Sequence, residues 1–450
     1  MLDMTTTHFE SLYPADTREH EISQILSYIK AGNSCQVIGL PGVGRANLLN
    51  FLSFNHAIRT KHLGDQQKQY HFVTINFSEV RKKPLAEVIK FLLITLTNSL
   101  EERRMEKEYQ KAKSILKDTL SFSDELMVFS GLKKVVDLLA IEQEYKLIFL
   151  FERFETYVPM LTEDFFSHLQ TLRNRAKFHF SVVFSLNRPL QDVIEPELMQ
   201  DFYQSVANHI VYIPFFDKIG LDFRIAHLEK SVGKTLPEEV KKQLLTLTSE
   251  HVKLTRLSIE VLLSSNDYNG KTEQELETFL LFQNHVLSGL YEIWQYLTPS
   301  EQEFLLNPQK PLETDYLEKV GLLQNGNITI PLFKIFITRF AKAPSQKEEL
   351  EEHFVLDTLT NEIKKGGEVI SDKLTGAEFR LLLFLLQNKE RILERDELIA
   401  AVWKDQASIA GVTDQALDQL IFRLRKKIEP NPNNPIHIET VKGRGFKFTP

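Results

Sequence analysis

A single cysteine, Cys35, stands in 450 residues. An internal disulfide and a cysteine-built zinc site are both excluded. Long apolar runs are missing too. The longest, such as Phe91–Leu96 and Leu147–Phe151, fall far short of the ~20 residues that span a bilayer. The opening residues, MLDMTTTHFE, lack a basic stretch followed by an apolar core, so no secretory leader is expected. These absences predict a cytoplasmic protein with no membrane partner. No repeat of fixed period and no low-complexity tract is present. Nor does any Ser-His-Asp, Cys-His, metal-triad or paired-carboxylate grouping stand out, so neither a catalytic residue nor a metal site is expected.

What is present fits a globular protein. Charged residues make up 26% and hydrophobic residues 42%. At about 100–200 residues per domain, the length predicts roughly two to four domains. The net charge of −7 is unevenly spread. From Lys373 to Pro450 there are 13 Lys and Arg against 10 Asp and Glu, leaving the remainder at −10. A mildly basic module on an acidic body favours an anionic partner for the C-terminal end.

Strands and helices alternate in the first half. Residues 18–31 have a helical apolar pattern. Cys35–Ile38 reads as a strand, followed by a glycine-rich turn and a helix from Ala46 to Phe54. Val73–Phe77, Lys146–Phe151 and Phe178–Ser185 read as further strands, with one long helix over 84–118. That order predicts an α/β layer with a parallel sheet. From Phe215 the pattern is helical. Thr298, Pro299 and Glu301 form a capping box with proline at the first helical position. The following helices and short strand pair are compatible with a small winged helix. Residues 343–372, dense in Lys and Glu, read as a charged connector with some helix.

Gly39-Leu40-Pro41-Gly42-Val43-Gly44-Arg45-Ala46 has the spacing of the phosphate-binding loop G-x-x-x-x-G-K-[ST] and sits between a strand and a helix. Its glycines let successive N–H groups aim at a phosphate. Two expected side chains are replaced. Arg45 stands for Lys, and Ala46 stands for the hydroxyl residue that would ligate Mg²⁺. After the Leu147–Phe151 strand, Glu152 and Arg153 stand where P-loop ATPases place a metal-binding Asp and often a Glu. A shift of one residue makes the pair Phe151 and Glu152, and one acid is absent in either register. The expected cofactor is ATP or ADP, with Mg²⁺ poorly served and hydrolysis weak or absent. A loop that is only a structural turn is the alternative.

On these residues, 8–340 resemble P-loop ATPases of the AAA+/STAND group. Arg18-Glu19-x-Glu21 resembles the motif ahead of their first strand. Phe184-Ser185-Leu186-Asn187-Arg188 resembles their fourth-strand end, which implies Arg188 or Asn187 as a sensor of the terminal phosphate. Ser249-Glu250-His251 lies where the family's lid often carries a nucleotide contact, without the usual Gly and Pro. Read by residue type alone, His251 is a surface or locally satisfied histidine. Residues 285–342 resemble the winged helix that follows the lid in STAND proteins. The implied cofactor-binding residues are Gly39, Gly42, Gly44, Arg45, Ala46, Glu152 and Arg188.

The last eighty residues carry the densest signal. Leu374-Thr375-Gly376-Ala377-Glu378 holds a second capping box, and Phe379–Gln387 is almost wholly apolar. Asp396–Trp403 reads as a second helix. Thr413 caps a third, with Leu417, Leu420, Ile421, Leu424 and Ile428 on its apolar stripe. Ile436–Val441 and Phe446–Phe448 flank the basic glycine turn Lys442-Gly443-Arg444-Gly445, a hairpin signal. This stretch resembles the OmpR/PhoB-type winged-helix domain across 369–450. The motifs are L-T-x-x-E, Arg395-Asp396-Glu397-Leu398, Val402-Trp403, Thr413-Asp414-x-Ala416-Leu417-Asp418, Ile421 through Glu429, and Thr440-Val441-x-Gly443-x-Gly445-Phe446-x-Phe448. The resemblance implies a third helix in the major groove of double-stranded DNA and a hairpin on the adjacent backbone. Gln415, Gln419, Arg423, Arg425, Lys426, Lys427, Thr440, Lys442 and Arg444 are the implied DNA-binding residues. Leu420 and Phe422 stand where the family often carries polar or basic groups on this helix, and Phe422 could touch a thymine methyl or pack on another domain.

The expected architecture is therefore a degenerate P-loop domain (1–214), a helical lid (215–284), a STAND-type winged helix (285–342), the charged connector (343–372) and the OmpR/PhoB-type domain (373–450). No phosphoacceptor receiver domain precedes the last module. The expected function is a homodimeric transcription regulator answering to an unidentified ligand or protein signal. The alternative is an ATP-dependent AAA+ DNA machine resembling origin-recognition replication initiators. A third reading is a scaffold that docks proteins through both winged helices.

Overall fold

A computed structural model describes all residues except 1–7, 216, 266–270, 309–313, 342–353, 358–361, 366–367, 390, 404–413, 430–431, 433–434, 442–443 and 450. The chain divides into two compact units, Met1–Phe340 and Ala341–Pro450. No described helix is long and apolar enough to cross a membrane.

The first unit is built on a five-stranded parallel sheet. Its strands are β1 (Cys35–Ile38), β2 (Tyr70–Asn76), β3 (Lys146–Glu152), β4 (Phe180–Leu186) and β5 (Ile210–Tyr212). They lie in the order β2-β3-β4-β1-β5. The interior strands β1, β3 and β4 are mostly apolar and almost wholly buried, because helices cover both faces of such a sheet. Beneath β3 and β4 lies a phenylalanine cluster. Phe77, Phe151, Phe154 and Phe184 meet edge to face, for example Phe77 on Phe151 at 4.7 Å and Phe151 on Phe184 at 5.3 Å. Chain order reverses around β1, which lies between β4 and β5. Such a switch point opens a crevice at the carboxyl ends of the strands.

Two expectations change here. The long helix over 84–118 is two helices, Leu85–Glu102 and Glu106–Leu120. Between them Arg104 takes a positive φ of 57°. Arg103 turns back to the sheet, donating to the carbonyls of Tyr70 and Phe72, so the edge of β2 is partly capped. The three-residue strand β5 escaped notice because it is too short to show a period.

Four helices follow in the segment expected as a lid: Lys218–Val232, Glu238–Thr248, Val252–Ser265 and Glu273–Leu281. After the helix Asn284–Tyr296, Thr298 and Glu301 form the expected capping box at the start of Pro299–Leu306. The short helix Asp315–Lys319, the ribbon β6 (Leu323–Gln324) and β7 (Asn327–Ile328), and the helix Pro331–Phe336 complete the unit.

The second unit begins with a correction. Within the expected charged connector lie three antiparallel strands, β8 (Phe354–Asp357), β9 (Glu362–Lys365) and β10 (Glu368–Val369). Phe354, Ile363 and Ile370 join the buried core formed by the helices Gly376–Gln387, Arg395–Val402 and Asp414–Ile428. Only four of the nine Lys and Glu of this stretch fall in the strands, where half of the residues are apolar. A second three-stranded sheet holds β11 (Ile392–Leu393), β12 (Ile438–Val441) and β13 (Gly445–Phe448) in the order β11-β13-β12. Gly445 has φ +130°, and a Cβ there would stand 2.0 Å from the Leu393 carbonyl oxygen, so only glycine lets these strands cross.

Candidate nucleotide and nucleic-acid sites

The phosphate loop closes β1 at the switch point. Gly42 and Gly44 have φ of +83° and +94°, the left-handed region that aims N–H groups outward. The helix Arg45–Phe54 begins there and adds its N-terminal dipole. Arg18, buried, ties the leading segment to the loop by donating to the carbonyls of Val43 and Pro214 at 2.9 and 3.0 Å.

The helix Val252–Ser265 and the residues just before it pack on the same loop. Lys253 donates its backbone N–H to the Gly42 carbonyl at 3.0 Å. A Cβ on Gly42 would sit 2.7 Å from the Lys253 Cβ and 2.9 Å from His251 Cε1, so this packing requires glycine here. His251 is fully buried rather than at the surface. Its Nδ1 accepts from the Leu254 N–H, which leaves Nε2–H to donate to the Pro41 carbonyl at 3.1 Å. Burial pushes this imidazole down to about 4.

The sign of the resulting pH dependence follows. Between its folded value and the ordinary 6.5, the unfolded chain binds a proton that the folded chain does not. Stability therefore rises with pH across that window, and one such group contributes a slope of about 1.4 kcal/mol per pH unit. The first unit's melting temperature is expected to climb from pH 4.5 to 6.5. His251→Gln, which can still donate to Pro41, is expected to remove about one proton from that slope in a pH series of thermal melts.

A cavity of about 590 Å³ opens beside the loop, with Gly42, Gly44, Arg45, Ala46, Glu152 and Asn187 on its wall. Arg45 does not lie free in it. Its guanidinium bonds Glu155 at 3.3 Å and the Asn187 side-chain oxygen, while the Asn187 N–H donates to the same Glu155 oxygen at 2.6 Å. Glu152 ends β3, and its Oε1 is buried with no hydrogen-bond partner. Burial raises its carboxyl to about 7, so near neutral pH much of it is uncharged. Arg153, Arg224, Lys253 and Arg256 also reach the wall, with Lys253 paired to Glu292. Nothing in the sequence pattern signalled Lys253 or Arg224, each one cation among several on its helix.

The wall suits phosphate better than a metal ion. Loop N–H groups and several cations face the space. Mg²⁺ finds no oxygen at Ala46 and a half-neutral acid at Glu152. Among the described residues no group of three or more His, Cys, Asp or Glu could hold a metal ion.

Arg188 lies elsewhere than the resemblance implied. It pairs with both oxygens of Glu301 at the start of Pro299–Leu306, and its guanidinium lies 4.2 Å from the Tyr316 ring centre. The Tyr316 hydroxyl donates to the Asn187 carbonyl at 2.7 Å. Of the two implied sensors, only Asn187 lines the cavity.

In the second unit, the helix Asp414–Ile428 buries Leu417, Leu420, Ile421, Leu424 and Ile428 as its spacing predicts. Its opposite face exposes Gln415, Gln419, Phe422, Arg423 and Lys426. Phe422 is 43% exposed, and the Lys426 ammonium sits 4.8 Å from its ring centre. Arg444 is exposed at the hairpin turn. Lys442 and Thr413 lie outside the described residues.

Two of the implied DNA-binding residues, Arg425 and Lys427, are engaged by other groups of the domain. Arg425 donates to the Ile438 carbonyl and to the Thr440 hydroxyl, pinning the helix to β12. Lys427 bonds the buried Glu378 at 2.6 Å and the Lys373 carbonyl at 2.8 Å. Both are tied back to the domain because the last helical turn approaches β12 and the start of Gly376–Gln387, although Lys427 itself stays exposed. No sequence spacing signals that approach.

A family model described as "Transcriptional regulatory protein, C terminal" matches residues 371–448. The C-terminal domain is of the OmpR/PhoB winged-helix type. RegX3 of Mycolicibacterium smegmatis, a sensory transduction protein, is 41% identical over 93 residues, which cover 21% of this chain and 39% of that protein. The chain thus spans about two fifths of that relative's length. The Klebsiella pneumoniae RstA DNA-binding domain, solved with its RstA box, is 30% identical over 21% of this chain and 89% of that one, with a TM-score of 0.18. The Walker-type ATPase of Pyrococcus abyssi is 15% identical over 74% of this chain and 97% of that one, with a TM-score of 0.42. The first unit combines a parallel sheet with a glycine loop of phosphate-loop spacing after β1. The OmpR/PhoB-type domain is thus attached to a P-loop body.

Proposed function

We propose that this protein is a sequence-specific, DNA-binding transcription regulator whose P-loop body binds ATP or ADP and controls the C-terminal domain. The observation that carries the reading is the exposed face Gln415, Gln419, Arg423 and Lys426, opposite a fully apolar stripe on a family-typical helix. Arginine and glutamine are the side chains suited to guanine and adenine edges, and lysine suits phosphate. The homodimer belongs to the proposal too, because a two-fold site would require a pair of such domains. So does the assignment of 285–342 to a winged helix.

The test is fluorescence anisotropy of the full chain with duplexes selected from a random pool. Binding must fall linearly on a log–log plot against salt, and selected sites holding paired half-sites would support the homodimer. No salt-dependent retention on any duplex would end the reading.

In the body, the loop N–H groups of Gly42 and Gly44 and the cation of Lys253 would hold the phosphates. A bound nucleotide would supply negative charge at the loop, drawing Arg45 from Glu155. The engaged Arg45 and the methyl of Ala46 speak against the alternative of an energy-consuming DNA machine. With Mg-ATP and duplex DNA, turnover below about 0.01 s⁻¹ is expected in a phosphate-release assay. A rate of a few per second would restore the machine.

A further inference from the structure

Away from the phosphate loop, a groove of about 870 Å³ runs between the end of the helix Arg45–Phe54, the edge strand β2 and the helix Leu85–Glu102. Two guanidiniums converge at its floor. Arg59 donates to the carbonyls of Leu52 and Ser53 at 3.1 and 2.7 Å. Arg103 donates to the same Ser53 carbonyl at 3.4 Å, and to Phe72 at 2.9 Å. Every hydrogen bond of these two side chains goes to a main-chain carbonyl, and among the described residues no carboxylate pairs with either.

Two like charges drawn to one oxygen, in a partly buried place, repel each other. Burial, and then the charge of Arg59, pushes Arg103 down to about 10. An anion between the two would relieve both effects. The groove's wall describes the rest of such a ligand. Phe54, Phe91 and Ile94 are half-buried and line it with apolar surface. Glu79 and Glu102 line it too, which disfavours a dianion such as phosphate.

We propose that this groove binds a small organic monocarboxylate, its head bridged by Arg59 and Arg103 and its apolar body laid along Phe54, Phe91 and Ile94. The site is independent of the nucleotide and DNA readings and would stand if either failed.

Isothermal titration of the full chain tests it, with sodium octanoate below its micelle concentration, octanamide and inorganic phosphate as probes. Octanoate is expected to saturate at one per chain and to bind at least tenfold tighter than octanamide. Inorganic phosphate is expected not to displace it. Arg59→Gln and Arg103→Gln are each expected to weaken octanoate at least tenfold. Because both arginines also hold main-chain carbonyls, Ile94→Glu serves as a second variant. It keeps both guanidiniums and puts a carboxylate on the apolar wall, so octanoate should weaken at least tenfold while the ligand-free melting temperature stays within a degree or two. Equal binding of octanamide, displacement by phosphate, unsaturable binding, or unchanged affinity in Ile94→Glu would each overturn the proposal.

Discussion

The double replacement Arg423→Ala/Lys426→Ala is expected to weaken binding to a selected duplex by about 2–4 kcal/mol, roughly thirtyfold to several hundredfold. Both side chains stand on the exposed face of Asp414–Ile428, and neither is tied to an acidic group among the described residues. A bidentate arginine on guanine discriminates by about 1–3 kcal/mol, and a lysine on phosphate adds a sequence-independent term. The two losses have different signatures. Arg423→Ala alone should relax the preference at one base position with little change in salt slope. Lys426→Ala alone should lower affinity for all duplexes and reduce the salt slope by about 1. Lys427→Ala is the contrast, because its ammonium is held by Glu378. It should lower the domain's melting temperature and leave the salt slope unchanged. Anisotropy titrations at several salt concentrations separate the three. If Lys427→Ala moved the slope as far as Lys426→Ala, the pairing of Lys427 with Glu378 would not describe the bound state.

The contrast between those two lysines shows where sequence reading stops. Lys426 and Lys427 are neighbours of the same type on the same helix. Periodicity placed the apolar stripe beneath them correctly, because burial follows a repeat that is local. Which cation is tied back to the domain depends on Glu378, 49 residues away, and no local pattern encodes that pairing. The same holds in the body. The loop glycines were legible because backbone conformation restricts the residue type at each position. Arg188 was not, since its partner Glu301 lies 113 residues downstream. For His251 residue type leaves two options, surface or locally satisfied, and only the fold selects the second. A histidine's burial is set by what folds over it, here the phosphate loop against the helix Val252–Ser265. The strands β8 to β10 were hidden differently. They lie in a segment, 343–372, whose lysines and glutamates set its composition, while among the described side chains Phe354 and Ile363, with Ile370 just after β10, join the core. Composition averages over the whole segment, so it hides the short strands within it.

Glu429→Ala is expected to cost the C-terminal domain about 3–5 kcal/mol and, with it, DNA binding. Glu429 follows the helix Asp414–Ile428 directly, and its side chain is buried. Its carboxylate accepts from the N–H groups of Ile436 at 2.9 Å, His437 at 3.0 and 3.1 Å, and Ile438 at 2.7 Å. Three consecutive donors thus meet one anion. The intervening sequence has prolines at 430, 432 and 435, which have no N–H to offer. Alanine would leave three donors without their acceptor, each worth about 1–3 kcal/mol where water cannot fully replace it. The consequence reaches the DNA face through β12. Ile438 is both the last donor to Glu429 and the first residue of β12, paired with Phe448, and its carbonyl holds Arg425. Freeing that strand end loosens the hairpin and the helix together. A domain of this size loses about 4–8 °C per kcal/mol, so the transition of the C-terminal unit should fall by more than about 10 °C in calorimetry. Glu429→Gln keeps one good acceptor and loses the charge, and should fall about half as far. A Glu429→Ala chain that melted within 2 °C of the parent would mean that water, not the carboxylate, satisfies those three groups, and the hairpin would then have to be held by β11 and β13 alone.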